Sequence, residues 1–396
     1  MNKDIEHKIA CNAVFCFGYG GTMEVVKSIG LPVMNKEEGE RRAFLPSLVA
    51  FLSRYDVDVY LEHGYGEKLG FSKEDYLSQN KRVVFTDSEE VYQQDLVIVL
   101  RAPGGAEINH MKKSAGLISM LHYDSKPELT KRLYEQQINA FSLDSMVDDN
   151  GERVIVTYDG TAGAGVRVAF QEMAKRRRDF FDKNRSPYQV TIIGMGNLGI
   201  AAGRACFRYG NEEIASRFVN ESISGVVVVF VEKDTTHLKD NLRRIFAQTD
   251  LLIDASKRRD FTKFIVSNDL IGCLKEDAVI LDLTADPYDV SCDPIQVKAI
   301  EGIPYGTLDK YVFEVDDSAY DLIPEGVKKN LRRVCISCNA WPGVVPEAVM
   351  KRYEDQLSPH LDVLLRKGFQ LSLDSDNVYE RTLVRAGIPY FLNTQQ

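Results

Sequence analysis

Three glycines, Gly194, Gly196 and Gly199, follow the apolar run Gln189-Val-Thr-Ile-Ile193 and precede the small-residue stretch Ile200 to Tyr209. Strand, glycine turn and helix in that order form a cradle for a dinucleotide pyrophosphate. Gly194 allows the tight turn, Gly196 lets the backbone approach the phosphates, and Gly199 lets helix and strand pack closely. Met195 completes the turn, while Asn197 and Leu198 open a helix whose first N–H groups and partial positive charge face an anion. A carboxylate at the end of the next strand holds the adenosine ribose hydroxyls and selects NAD over NADP. Glu232, after Val226-Val-Val-Val-Phe-Val231, is the candidate, with Asp234 next in line. Lys233 beside it would tolerate a 2′-phosphate, so NAD is expected and NADP is not excluded. Glu232 lies farther from Gly199 than the usual spacing of about 20 residues, so Asn211 to Ser224 reads as an insertion.

Those residues must be carried by elements of adequate size. A chain of 396 residues holds about two domains, each with its own core. Its 44% apolar and 27% charged content is that of an ordinary globular protein. The formal net charge of −9 argues against a nucleic-acid or anionic-membrane binder. The basic run Lys175-Arg176-Arg177-Arg178 reads as a solvated helix face. No apolar run approaches the roughly 20 residues needed to cross a bilayer, and the N-terminus lacks a signal-peptide core. The seven cysteines suggest no disulfide framework, so a cytoplasmic setting is expected. Cys335-Ile-Ser-Cys338 lacks the second pair a zinc site needs and reads as two half-buried thiols; no metal is expected.

The chain alternates strand and helix patterns. Strands are expected at 29–33, 57–61, 82–85 and 96–100, and helices at 47–54 and 73–79. Residues 154–165 lead into a long helix over about 166–182, which ends in the breaker Asn184-Arg-Ser-Pro187 and is expected to span between domains. Further strands follow at 226–231, 251–254 and 278–283, then a helix over 346–366. The fold class is therefore α/β, with two Rossmann-like parallel-sheet domains and a cleft between them. Residues 1–150 with 308–396 form a discontinuous substrate domain, and 151–307 form the dinucleotide-binding domain. The cluster Gly18, Gly20, Gly21 lacks a strand–turn–helix context and receives little weight.

Several motifs beyond the glycine turn share one resemblance. Gly39-Glu40-Arg41-Arg42-Ala-Phe-Leu-Pro46, Leu61-Glu-His-Gly-Tyr-Gly66 and Phe71-Ser-Lys-Glu-Asp-Tyr76 are similar to the N-terminal signatures of the alanine dehydrogenase/transhydrogenase superfamily. Met146 to Val156 with Ala162-Gly-Ala-Gly165, Leu281-Asp-Leu-Thr-Ala-Asp286 and Pro342-Gly-Val-Val-Pro346 extend the likeness over about residues 29–366. Gly39-Glu-Arg-Arg and Thr284-Ala-Asp286 favour its saccharopine dehydrogenase (lysine–ketoglutarate reductase) and carboxyethylornithine synthase branch.

The resemblance implies site residues and a reaction. Arg41 matches a carboxylate-binding arginine, five residues before Pro46, whose fork would orient a substrate carboxylate. His122 matches an acid/base histidine at the end of an apolar strand, and imidazole suits proton exchange near neutral pH. Asp124, two residues on along that strand, would share its face and orient it. Asp286 matches a position beside the nicotinamide, Asp282 orients a loop, and Tyr158 and Asp159 lie where substrate is expected. Trp341 either lines the pocket or packs. One departure stands out: relatives carry lysine where this chain has Arg101, which cannot give up its proton but can hold a carboxylate.

The reaction expected is NAD(P)-dependent, opine-type oxidoreduction of the C–N bond between an amino acid and a 2-oxo acid. The alternatives are an alanine dehydrogenase-like oxidative deaminase and a non-catalytic NAD(H)-binding module. The partners are these small molecules, with no nucleic acid or membrane. The sequence leaves homo-oligomerisation open.

Overall fold

Parallel strands cannot be joined by two-residue hairpins, so each sheet of this chain grows by crossovers through helices. The computed structural model describes residues 25–34, 37–258 and 260–394. The Gly18, Gly20, Gly21 cluster and the Lys233 side chain, on which NADP tolerance was argued, lie outside the described residues. The chain forms two units. Of the described residues, the first takes 25–34, Arg41–Val156 and 346–394; the second takes Glu37–Glu40 and Thr157–Val345.

The first unit runs β1 (Ser28–Leu31), α1 (Pro46–Leu52), β2 (Asp58–Glu62), α2 (Lys73–Leu77), β3 (Val83–Thr86), α3 (Ser88–Tyr92), β4 (Leu96–Arg101), α4 (Gly105–His110), β5 (Gly116–Met120), α5 (Pro127–Glu135) and β6 (Asn139–Ser142). Its sheet has the order β3-β2-β1-β4-β5-β6, parallel throughout. Helices cover both faces of such a sheet, so strands read as continuous apolar runs, as Leu96-Val-Ile-Val-Leu100 does. The strand order reverses between β1 and β4, which opens a crevice at the carboxyl ends of those strands.

The second unit runs α6 (Tyr158–Arg176), β7 (Tyr188–Ile193), α7 (Asn197–Cys206), α8 (Glu212–Asn220), β8 (Val226–Val231), α9 (Lys239–Phe246), β9 (Leu251–Asp254), α10 (Asn268–Ile271), β10 (Val279–Asp282), β11 (Val312–Phe313) and β12 (Val334–Ser337). Its sheet has the order β11-β12-β10-β9-β7-β8, antiparallel only at β11. Here the reversal falls between β7 and β9. The chain then re-enters the first unit through α11 (Pro346–Lys367), α12 (Val378–Ala386) and α13 (Ile388–Thr394). The Tyr123 hydroxyl ties that segment down by donating to the Ala386 carbonyl at 3.1 Å.

Four expectations need correction. Residues 308–345 belong to the second unit, because β12 pairs with β10 in parallel over four residues and β11 pairs with β12. Residues 151–156 belong to the first, where Val156 exchanges two hydrogen bonds with the Gln356 amide (3.1 and 2.9 Å). The long helix starts at Tyr158 rather than 166 and lies wholly in the second unit. Ala162-Gly-Ala-Gly165, read as the lead-in to that helix, lies within it, and a Cβ at Gly165 would lie 2.5 Å from Leu283 Cδ2. The expected insertion, Asn211 to Ser224, contains α8, whose N-terminus the Asn211 side chain caps at 2.8 and 3.2 Å.

In the basic run at the end of α6, Lys175 and Arg178 are exposed, but Arg177 is not part of a solvated face. The Arg177 guanidinium is buried, donates to Asp250 Oδ1 at 2.6 Å and lies 4.8 Å from the centre of the Tyr188 ring. Asp250 Oδ2 in turn accepts from the Gln189 N–H at 2.8 Å, at the base of the dinucleotide strand. Removing one partner of a buried pair leaves the other charge desolvated. Arg177→Leu should therefore destabilise the protein by about 3 kcal/mol, read as a lower urea midpoint with unchanged slope.

Candidate functional site

In the second unit the glycine turn sits at the carboxyl end of β7, on the β7/β9 reversal. Gly194 has φ +100°, and a Cβ there would lie 2.7 Å from the Ala255 carbonyl oxygen. At Gly199 a Cβ would meet the Gly194 carbonyl oxygen at 2.1 Å. Gly196 differs: nothing lies within 4 Å of where its Cβ would be. Two glycines thus hold the turn closed and the third leaves backbone open to a ligand. Gly196 is the N-cap of α7, so Asn197, Leu198 and Gly199 occupy its first turn, where amides lack acceptors within the helix. Met195 is exposed at the tip. These residues fit a pyrophosphate. Glu232 follows β8, the strand beside β7, and uses Oε2 to accept from the Asp234 N–H at 2.5 Å.

Beneath this turn lies a buried charged group that sequence reasoning missed. Asp254 ends β9 and Asp282 ends the adjacent β10; both are buried, as is Lys298. The Lys298 ammonium lies 2.8 Å from Asp282 Oδ2 and donates to the Asp286 carbonyl at 2.7 Å. Asp282 also accepts from the Ser337 hydroxyl and from the Thr284 and Ala285 amides (2.9, 3.0 and 2.8 Å). Its own carbonyl accepts from Trp341 Nε1 at 2.8 Å, so that buried tryptophan packs and orients. The Thr284 hydroxyl stands 2.9 Å from Asp282 Oδ1 and 3.1 Å from Asp254 Oδ2. One hydroxyl hydrogen cannot serve two carboxylates, and a proton on Asp254 resolves the shortage. Burial, with the Asp282 charge next, pushes the Asp254 carboxyl up to about 7. The signal was legible: an aspartate ends each of two apolar strands.

Asp286 stands beside this group but is occupied. Arg258, itself buried, donates to Asp286 Oδ2 through Nε at 3.1 Å and Nη2 at 2.5 Å. Burial pushes the Asp286 carboxyl up, while the guanidinium opposes that. Tyr158 packs against the core of the same unit from the first turn of α6. Lys257 is exposed. Cys335 and Cys338 are free thiols, and fully rather than half buried. Among the described residues no group of three or more His, Cys, Asp or Glu could hold a metal.

In the first unit Arg101, His122 and Arg41 all come to the carboxyl edge of the sheet. Arg101 ends β4 after a register irregularity from Ile98 that brings it opposite Met120; such bulges re-aim a side chain at a sheet edge. His122 follows β5 by two residues, in the left-handed region at φ +51° and ψ +56°. Its N–H donates to Asp144 Oδ1 at 3.2 Å, and its Nδ1 lies 3.4 Å from Asp144 Oδ2. Asp144 is mostly buried just after β6. Burial alone would raise its carboxyl; hydrogen bonds and charge from His122, and the Ser142 hydroxyl, outweigh it and hold it well below the usual range. Asp144 is thus the carboxylate that addresses His122. Asp124 lies in the one-turn 3-10 helix Tyr123–Ser125, not on a strand, so the alternation that placed it on the histidine's face does not apply.

Arg41 is exposed and Arg42 buried. The loop carrying them is clamped on both sides of Phe44. Its N–H donates to the Tyr65 hydroxyl at 2.9 Å, and its carbonyl accepts from the Tyr76 hydroxyl at 2.9 Å. Glu354 on α11 then accepts from the Leu45 N–H and, at 2.5 Å, from the Ser47 hydroxyl, capping α1 from another element. Burial pushes the Glu354 carboxyl up to about 7. The motifs at 61–66 and 71–76 therefore supply the tyrosines that position Arg41's loop.

Two parallel α/β units, one with a dinucleotide turn at its strand reversal, define a protein of the two-domain Rossmann class. Comparison with known proteins narrows this. Residues 32–158 match the family described as "Alanine dehydrogenase/PNT, N-terminal domain", which relates the first unit to that superfamily. The NAD(P) transhydrogenase subunit alpha of Haemophilus influenzae is 24% identical over 288 residues, 65% of this chain and 56% of that protein. The match thus spans little more than half of that relative. The alanine dehydrogenase of Bacillus subtilis is 24% identical over 267 residues, 65% of this chain and 70% of that one. Among solved structures an L-alanine dehydrogenase superposes with a TM-score of 0.65 at 21% identity, covering 91% of this chain and 94% of the other. A transhydrogenase from Sinorhizobium meliloti gives 0.62 at 13% identity, covering 91% and 98%. The overall fold is that of these proteins.

Two outcomes follow. Gly196→Val should leave the urea-unfolding free energy within about 0.5 kcal/mol of wild type, since its side chain meets only open space. NADH affinity, read by fluorescence titration, should fall at least tenfold. A raised carboxyl contributes stability that is complete below the ordinary carboxylate range and lost as pH rises through the raised value. Asp254→Asn, which keeps a donor toward Thr284, should therefore gain on wild type in urea-unfolding free energy as pH rises from about 5 to about 8.

Proposed function

We propose that this chain is an NAD(H)-dependent oxidoreductase that oxidises the amine-bearing carbon of a small amino acid to a 2-oxo acid and ammonium, and runs the reverse. The observation that carries this reading is the turn at 194–199, where Gly196 faces open space while Gly194 and Gly199 press on backbone. The relatives described above are alanine dehydrogenases and transhydrogenases. Ammonia as nitrogen partner therefore takes precedence over the opine-forming reaction, which joins two larger acids.

The roles follow from the side chains. Gly194, Met195, Gly196, Asn197, Leu198 and Gly199 would hold the pyrophosphate and Glu232 the ribose hydroxyls; the nicotinamide, when bound, supplies the hydride acceptor. Arg41 offers a guanidinium fork for the substrate carboxylate. Arg101 stays charged at every working pH, so it binds or polarises the oxo or carboxyl oxygen and moves no proton. That leaves His122 to take the proton from the amine or from attacking water. Asp144 holds Nδ1, which turns Nε2 outward as the exchanging atom. Asp144 acts through the ring and is a positioning residue.

NADH oxidation should require pyruvate or a similar short 2-oxo acid together with ammonium. Turnover with an amino acid in place of ammonium would restore the opine reading, and tight NADH binding with no turnover for any pair would leave only a nucleotide-binding protein. His122→Ala should lower kcat about 100-fold or more with NADH affinity kept. Arg41→Ala should chiefly raise KM for the acid. Asp144→Asn removes the carboxylate that holds Nδ1, so kcat should fall with NADH affinity kept; an unchanged kcat would sever Asp144 from the mechanism.

A further inference from the structure

The first unit holds a cavity away from the carboxyl edge that carries Arg101 and His122. It lies among the end of α1, the turn after it, the middle of α11 and the start of α12. Phe51, Arg54, Tyr55, Pro359, Arg366 and Tyr379 line it, and its volume is about 560 Å³. That is the size of a small-molecule site. Tyr55 shortly precedes the amino end of β2 at Asp58. The cavity thus lies by the opposite edge of the sheet, where the reaction proposed above has no part.

Its walls combine aromatic rings with guanidinium forks. Tyr379 is 41% exposed and meets the His360 ring in a T-shaped contact at 5.2 Å, which leaves ring surface for a ligand. Arg54 stands 5.5 Å from the centre of the Phe51 ring, and Arg366 5.7 Å from that of Tyr55. Stacking of this kind holds a guanidinium in place and leaves its N–H edge available. The charges do not balance. Asp362 accepts from the Tyr55 hydroxyl and from Arg366 Nε at 2.8 Å, and Asp355 pairs with Lys351 at 2.6 Å. The Arg54 guanidinium reaches no carboxylate among the described residues, and Arg366 uses only Nε. Three cations therefore face two carboxylates, and two forks keep N–H groups without acceptors. Pro359, inside α11, brings no N–H to the Asp355 carbonyl, so a backbone acceptor stands beside them.

We propose that this cavity binds a nucleoside monophosphate, with its phosphate on Arg54 and Arg366 and its base against Tyr379. A phosphate ester is the anion that guanidinium forks match. A base stacks on an aromatic ring whatever its sequence identity, and an N–H on it can donate to the Asp355 carbonyl. Inorganic phosphate would leave the rings bare, and an uncharged aromatic molecule would leave the forks unmatched.

The test is isothermal titration calorimetry with adenosine 5′-monophosphate on the full chain carrying Gly196→Val, which keeps the probe from the dinucleotide turn. One site per chain should appear, with a Kd of about 100 µM or tighter, weakening as salt rises. Arg54 and Tyr379 are exposed, so Arg54→Ala and Tyr379→Ala in that chain should keep the fold. Each should weaken binding about tenfold or more. Adenosine and ribose 5-phosphate should each bind about tenfold more weakly than the nucleotide or worse, having lost one of the two contacts. NADH affinity of Arg54→Ala in the otherwise wild-type chain should be unchanged, so failure here and failure of the dinucleotide reading are told apart. Absence of binding at about 1 mM nucleotide, tenfold above that Kd, would overturn the proposal. So would affinity unmoved by both substitutions, which places the nucleotide elsewhere. Inorganic phosphate or phenylalanine binding as tightly as the nucleotide would overturn it as well, making the cavity a plain anion site or a carboxylate site.

Discussion

The second unit depends on one buried ammonium shared out among the carboxyl ends of its strands. Lys298 has left water to reach Asp282 and the Asp286 carbonyl. Such a charge is costly to desolvate and persists only where its partners are themselves satisfied. Asp282 meets that condition through Thr284, Ala285 and Ser337. The loops after β9 and β10 are thereby joined to a single polar network, with Asp254 entering through the Thr284 hydroxyl. These loops neighbour the glycine turn, since the Ala255 carbonyl is what Gly194 must avoid. The glycine turn, open at Gly196, thus lies against loops joined to that network.

The first unit solves a similar problem with two tyrosine hydroxyls and one carboxyl group. Arg41 sits on an exposed loop, and loops lacking secondary structure position side chains poorly unless tied down. Two tyrosine hydroxyls and the Glu354 carboxylate bind three consecutive backbone groups of that loop. They come from beyond β2, from α2 and from α11. His122 is held equally locally, by one carboxylate that takes both its backbone N–H and its Nδ1. The loop that carries Arg41 and the ring of His122 are thus both held by groups from other elements.

What could be read from the residues follows local rules. The runs 226–231 and 251–254 coincide with β8 and β9, because valine-rich stretches bounded by turn residues have one favourable state. Gly194, Gly196 and Gly199 announced their turn through their spacing between an apolar strand and a small-residue helix. Other segments were misread where local and tertiary preferences oppose. Glycines at 163 and 165 argue against helix, but α6 includes both and uses Gly165 to approach Leu283. Four consecutive basic residues argue for solvent, but Arg177 finds Asp250 and is buried. Asp124 was expected on the face of His122 because strand alternation was extended past the end of β5.

By itself the sequence determined the alternation of strands and helices, the dinucleotide turn and the identity of the residues able to bind carboxylates or move protons. These depend on backbone preference and hydrophobic period, which act over a few residues. Only the tertiary structure decided that residues 308–345 stay with the second sheet, that Asp144 rather than Asp124 addresses His122, and that Asp254, Asp282 and Lys298 share one buried network. Those outcomes depend on which strands become neighbours and on where water is excluded, and both are properties of the assembled chain rather than of any stretch of it.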